Sequence, residues 1–274
     1  MTDDQLNAQK VRHVLVAGER PEPGGALTAV AGFAWRSVLK IKHVPEQLLD
    51  ALVTPVLFLV MFTYLFGGAI EGSTSDYLQF LLPGMLVQSL LFSTVYSGMT
   101  LSTDLSKGFV DRVRTLPIWS AAPLVGASAG DSVRYLVTGT VVLITGFIMG
   151  YSLEGGVGGL LGSFALVILF AYALSWVFTT LGLILRTPTA VMNTGFMVLF
   201  PIIFISNIFV DPDTLPAVLE WMVGINPVSH LTTAIRGMMG GDADGGEILL
   251  VLAESLVMVL IFVPITARLY RRHT

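Results

Sequence analysis

Cysteine is absent from the 274-residue chain, and Asp, Glu, Lys and Arg together make up only 12% of it. The first absence excludes disulfide frameworks, thiolate catalysis, iron–sulfur clusters and Cys-ligated zinc. The second excludes an ordinary solvated globular surface, which carries about twice that charge fraction. No G-x-x-x-x-G-K-[ST] phosphate loop occurs, and the glycines of EGGVGGLLGS (residues 154–163) are followed by no lysine, so this chain has no nucleotide site of its own. There is no H-E-x-x-H and no G-x-S-x-G, and His13, His43, His230 and His273 stand far apart with no carboxylate at ligand spacing. Neither a catalytic residue nor a metal centre is therefore expected. The formal net charge of −4 argues against a nucleic-acid partner. Residues 1–47 lack a long apolar run, and VRHVLVAG is too short and too charged for a signal-peptide core, so no cleaved leader is expected.

What the chain has instead is apolarity: 54% of its residues are hydrophobic and its mean hydropathy is +0.77. Apolar blocks fall near residues 51–70, 78–100, 131–151, 160–184, 190–210 and 248–267. Each suits a bilayer crossing of about 20 residues. In hydrocarbon a backbone must bond to itself, and the blocks lack the alternation of a barrel strand, so each is expected to be helical. Pro55, Pro83, Pro201 and Pro264 read as tolerated kinks. The expected fold is an all-α integral membrane protein of six transmembrane helices.

The cations are strongly segregated. Fourteen of the fifteen Lys and Arg lie before the first block, between or at the ends of the second and third, between the fourth and fifth, or after the sixth; Arg236 alone falls on the other side, with nine carboxylates. By the positive-inside rule both termini are expected in the cytoplasm of a multi-pass cell-membrane protein.

Three stretches are not spans. After a tail over residues 1–25, residues 26–43 place Leu27, Val30, Ala31, Ala34, Val38 and Ile41 on one stripe, with Arg36, Lys40 and His43 on a basic face and Trp35 at its border. This predicts an in-plane amphipathic helix in the block 26–47, either sunk in the leaflet or packed on the bundle, with Pro45 turning the chain into the 48–274 transmembrane domain. Residues 104–117, DLSKGFVDRVRTLP, set Leu105, Phe109, Val113 and Leu116 on one stripe and Lys107, Asp111, Arg112 and Arg114 elsewhere. A short amphipathic helix is predicted there, with Asp104 as its N-cap and Pro117 as its stop. Residues 211–241 are Pro- and Gly-punctuated yet apolar, and Asn226-Pro227 breaks them into two pieces too short to span. They read as half-helices before the last block, re-entrant or lying on the surface.

Glu254 is the one carboxylate well inside a block, where it must be neutralised, hydrogen-bonded or turned to a polar cavity. Asp131 and Arg134, at i and i+3, read as a structural ion pair.

The order of these features resembles the ABC-2 type permeases of ATP-binding-cassette exporters, and among them the daunorubicin/doxorubicin-resistance permease group. The resemblance is carried by LLPGMLVQSLLFSTVYSG (81–98), GFVDRVRTLPIWSAAPLVGASAGDSVRYL (108–136), RTPTAVMNTGFMVLFPIIFISNIFVDPDTLP (186–216) and NPVSHLTTAIRGMMGG (226–241). It implies a half-transporter that pairs with a second permease copy or paralogue and with a separate ATP-binding subunit holding ATP and Mg, no cofactor being bound by this chain. It also implies that Asp104–Pro117 is the cytoplasmic coupling helix docking on the ATPase, with the in-plane helix at 26–43 and outer half-helices at 211–241 broken at Asn226 and Pro227 ahead of Arg236. Gln88, Phe92, Asn193, Phe196, Phe200, Asn207 and Glu254 are then the candidate pathway positions for export of a drug, lipid or glycolipid. The residues alone leave open a proton-coupled carrier using Glu254 and an assembly subunit without transport.

Overall fold

The computed structural model describes residues 25–43, 45–109, 122–185 and 187–273. Among these there is no strand. Nine helices follow in order: α1 (Ala26–His43), α2 (Pro45–Ile70), α3 (Thr74–Ser106), α4 (Ala122–Met149), α5 (Gly156–Ile184), α6 (Pro188–Phe204), α7 (Ala217–Gly224), α8 (Pro227–Gly240) and α9 (Gly245–His273), with one 3-10 turn over Pro212–Thr214. Their ends follow local chemistry. Ser73 caps α3 by accepting from the Asp76 N–H, and Thr187 caps α6 ahead of Pro188. Gly241 closes α8 in the left-handed region at φ 93°.

Five helices are long and apolar enough to cross a membrane: residues Leu52–Ile70, Thr74–Ser106, Ala122–Met149, Gly156–Ile184 and Gly245–Arg271. The block expected over 190–210 folds differently. Its helix, α6, has 17 residues and stops at Phe204. At 1.5 Å per residue that is about 26 Å, short of a hydrocarbon core of about 30 Å. The stop has a physical cause: the Asn226 amide donates to the carbonyls of Ile202 (2.6 Å) and Ile205 (2.5 Å), satisfying backbone groups that a continuing helix would have used.

α3 is the axis of the bundle. Of its most apolar window 83% is buried, against 11% for α9, and it packs against α2, α4, α5, α6 and α8. The periphery carries exposed Leu57, Leu65, Ile148, Leu161, Met197, Leu249 and Leu260. That apolar outer surface is what lipid requires.

Close approach of helices depends on glycine, as expected where no water drives association. An added Cβ at Gly98 of α3 would lie 2.1 Å from the Phe178 carbonyl oxygen of α5, and one at Gly182 of α5 would lie 2.4 Å from the Gly98 carbonyl oxygen. On α4, Gly126 and Gly130 seat α1, where added carbons would meet Phe33 and Ser37. The glycines of EGGVGGLLGS serve the same end: Gly155 and Gly159 admit the Met238 carbonyl, and the Gly155 N–H donates to Met239 O at 2.8 Å. Gly98→Ala is therefore expected to destabilise by about 1–3 kcal/mol, because rigid α5 backbone must move. Gly68→Ala, with nothing within 4 Å of the new carbon, is the matched control. Equal melting temperatures for the two variants would contradict this account of the α3–α5 crossing.

Candidate functional site

A cavity of about 240 Å³ lies between α2, α3 and α6. α2 contributes Thr54, Pro55 and Phe58; α3 contributes Met85, Gln88, Ser89, Phe92, Ser93 and Tyr96; α6 contributes Phe196 and Phe200. No lining residue is charged. Gln88 is 2% exposed, and neither its Oε1 nor the Ser93 Oγ has a hydrogen-bond partner among the described residues. An unmet acceptor in an apolar wall costs about 1–3 kcal/mol, which a ligand donor would recover.

Aromatic rings extend from this cavity. Phe92 meets Phe196 edge-on at 5.4 Å and Phe200 at 5.2 Å. Phe200 stacks on Phe204, Phe204 on Phe209, Phe209 packs on Phe62, and Phe62 stacks on Phe58 at the cavity wall. Sequence reading missed Phe58, Phe62, Phe204 and Phe209, although the i, i+4 spacing of 58/62 and 196/200/204 was a visible signal. Behind the cavity, the buried Arg134–Asp131 ion pair neutralises itself. Its guanidinium also donates to Ser93 O at 3.4 Å and lies 5.6 Å from the Tyr96 ring.

At the end of the bundle that carries α7 and α8, two side chains hold irregular backbone. Arg236 donates through Nε and Nη2 to Phe80 O (3.2 and 3.1 Å) and through Nη2 to Asn207 O (3.0 Å), with its guanidinium 3.9 Å from the Phe80 ring centroid. Burial lowers it to about 10, which leaves it protonated at neutral pH. Asn226, besides capping the Ile202 and Ile205 carbonyls, accepts from the Val228 N–H and so starts α8. Glu254 is bound by His230, whose Nδ1 lies 2.7 Å from Glu254 Oε1 while Nε2 lies 2.9 Å from Gly224 O. The pair is invisible to local spacing because 24 residues separate its members.

At the opposite end of α3, Arg36 of α1 forks onto Asp104, with Nη1 to Oδ2 at 3.2 Å and Nη2 to Oδ1 at 3.3 Å. The same guanidinium lies 3.5 Å from the Phe109 ring centroid, and Phe33 meets that ring edge-on at 6.2 Å. Leu105 turns inward onto a cluster of Leu101, Leu124, Trp176, Leu183 and Tyr270.

The sequence-expected positions thus divide. Gln88, Phe92, Phe196 and Phe200 come together around the cavity; Asn193 is exposed, Asn207 donates to the Thr233 hydroxyl at 2.8 Å, and neither they nor Glu254 line it. Asp104 does not cap a new helix but sits in the last turn of α3, its carboxylate engaged by Arg36. Leu105 and Phe109 face the bundle and α1. Asp111, Arg112, Val113, Arg114, Leu116 and Pro117, like the tail over 1–24 and the Lys40 side chain, lie outside the described residues. Trp35 is 65% exposed beside the half-buried Arg36. Among the described residues no group of three or more His, Asp or Glu stands close enough to hold a metal ion.

Residues 28–239 match the family model of the ABC-2 type transporter. The chain is 44% identical to the daunorubicin resistance ABC transporter permease protein DrrB1 of Streptomyces coeruleorubidus, over 96% of this chain and 93% of that protein. It is 26% identical to the "Probable doxorubicin resistance ABC transporter permease protein DrrC" of Mycobacterium tuberculosis, over 82% and 81% respectively. With the doxorubicin resistance ABC transporter permease protein DrrB of the same organism it shares 28% identity over 53% of each chain.

Proposed function

Because the chain belongs to the ABC-2 type transporter family, we propose that it is the membrane-spanning permease subunit of an ATP-driven exporter that moves a hydrophobic or amphipathic molecule out of the cytoplasm or inner leaflet. ATP and Mg are then handled by a separate ATP-binding subunit, which accounts for the missing phosphate loop. The working unit contains a second permease copy or paralogue. Both termini and the loop after α3 face the cytoplasm, α6 together with the non-helical apolar residues 205–210 makes the fifth of six crossings, and α7 and α8 lie in the outer leaflet. The cation segregation supports that orientation, and the exposed Trp221, Val218 and Ile225 suit a hairpin set in the interface.

The observation that carries the reading is the cavity between α2, α3 and α6. It is uncharged and aromatic, and it offers two buried polar atoms without a partner among the described residues, the acceptor Gln88 Oε1 and the hydroxyl of Ser93. Such a wall binds aromatic or acyl surface by burial and orients it by one hydrogen bond to a ligand hydroxyl or amine. A volume of about 240 Å³ is smaller than the ~300–1,000 Å³ of a drug-sized site, so the cavity is one flank of a larger site that opens or is completed during transport.

The test is ATP-dependent uptake of daunorubicin and of fluorescent phospholipids into inverted vesicles holding the permease and its ATP-binding subunit. Gln88→Leu is expected to lower transport of the recognised substrate roughly tenfold through the lost hydrogen bond. The same variant should keep or raise the melting temperature, because it removes an unpartnered buried carbonyl. Phe92→Ala is expected to weaken transport at least as much. Wild-type transport by both variants would remove the cavity from the pathway.

A further inference from the structure

We infer that His230 and Glu254 form a proton-held clasp that fastens the α7–α8 hairpin to the last helix. His230 stands in the first turn of α8, donates toward Glu254 of α9 through Nδ1 at 2.7 Å, and reaches the terminal carbonyl of α7, Gly224 O, through Nε2 at 2.9 Å. One ring thereby joins three elements, and its two contacts fix how many protons the pair must hold.

A carbonyl oxygen only accepts, so the contact with Gly224 requires a proton on Nε2. The contact with Glu254 then requires a second proton, carried either on Nδ1 of an imidazolium facing a carboxylate or on a carboxylic acid donating to Nδ1. Both arrangements preserve both bonds with two protons on the pair. Removing one leaves a single N–H for two acceptors, and a lone pair must face either the carboxylate or the carbonyl. The bond to a charged acceptor is the stronger. Deprotonation therefore keeps Glu254 and gives up Gly224, so the element released is α7.

The surroundings favour the protonated form. Burial alone would lower the ring, but the hydrogen bonds with Glu254 and Gly224 and the charges of Glu254 and Glu247 raise it above its ordinary 6.5. Of the elements against α8, α9 brings Glu254 and Glu247. α7 brings its terminal carbonyl and has Glu220 on its exposed side; α3 carries Asp76 and Tyr77 at this end, bonded to Ser73 and to Phe209 O; the first half of α5 has no ionisable side chain. Arg236, six residues along α8, is committed to the Phe80 and Asn207 carbonyls. With the folded-state value raised, the clasp is complete below the unperturbed imidazole range and is lost as pH rises through the raised value.

The absence of cysteine makes a distance measurement direct. Spin labels at Val218→Cys on α7 and Leu249→Cys on α9, both exposed in the native chain, are compared in nanodiscs from about pH 5.5 to about pH 9.5. The otherwise native chain is expected to show a short, narrow distribution at low pH that moves to longer distance as pH rises. Glu254→Gln should stay short throughout, because its amide donates to a neutral Nδ1 and leaves Nε2–H for Gly224. His230→Gln should show no pH dependence. An invariant distance in the native background overturns the proposal, as does a pH shift surviving in Glu254→Gln. Should Glu254→Gln fail to fold, a pH shift persisting in His230→Gln overturns it equally.

Discussion

Arg236→Ala is expected to cost about 3–5 kcal/mol and to lower the melting temperature of the purified permease by roughly 10 °C. Phe80 O receives both Nε and Nη2, and Asn207 O receives Nη2, the latter in the non-helical stretch between α6 and α7. Removing the side chain strands the Asn207 carbonyl and strips Phe80 O of its charged donors where hydrocarbon and protein leave little water, and a stranded acceptor costs about 1–3 kcal/mol. It also removes a cation 3.9 Å from the Phe80 ring centroid, worth about 0.5–2 kcal/mol. Arg236→Lys should recover less than half of the loss, because an ammonium cannot reproduce a planar fork that bridges α3 and the chain after α6. Thermal unfolding in nanodiscs decides the point. A shift under about 1 °C for Arg236→Ala would show that water already serves those carbonyls.

Arg236 also marks where sequence reading ends. Its contacts were not legible, whereas the break at Asn226-Pro227, the four helix-internal prolines and the Asp131–Arg134 pair were plain, because proline chemistry and i, i+3 spacing are local properties. The length of α6 was not legible. Apolarity continues to Val210, and the helix stops at Phe204 because an amide 21 to 24 residues away takes its last carbonyls. The His230–Glu254 pair was hidden for the same reason, since its members belong to different helices. Asp104 was misplaced because a helix cap and the last turn of a preceding helix look alike in sequence; what separates them is a guanidinium 68 residues upstream. The cavity was half legible. Gln88, Phe92, Phe196 and Phe200 stand out as polar or aromatic residues in lipid-like runs, but Asn193 and Asn207 stand out equally and lie elsewhere.

Reversing the charge at Arg36 is expected to uncouple transport from ATP hydrolysis while leaving the bundle folded. The side chains of Arg36 and Asp104 are 37% and 13% exposed, so their pairing contributes modestly to stability, about 1 kcal/mol or less. Its positional effect is larger. α1 is seated on α4 through Gly126 and Gly130, and Arg36 reaches from it to Asp104 in the last turn of α3 and to Phe109, two residues of the segment Asp104–Pro117 expected to couple to the ATPase. If an ATP-binding subunit docks on that segment, a force arriving there is shared between α3 and α1 from its first residues. Arg36→Asp places two carboxylates together and withdraws the cation from Phe109. Substrate export should fall roughly tenfold, with ATP hydrolysis retained or raised, in vesicles containing both subunits. Asp104→Arg alone should behave similarly, and the double variant Arg36→Asp with Asp104→Arg should recover part of the export, since the pair is restored in reverse while the cation over Phe109 is not. Arg36→Lys should fall between, keeping the charge but losing the fork. Wild-type export by Arg36→Asp, or a double variant no better than the worse single one, would show that this joint plays no part in transmission.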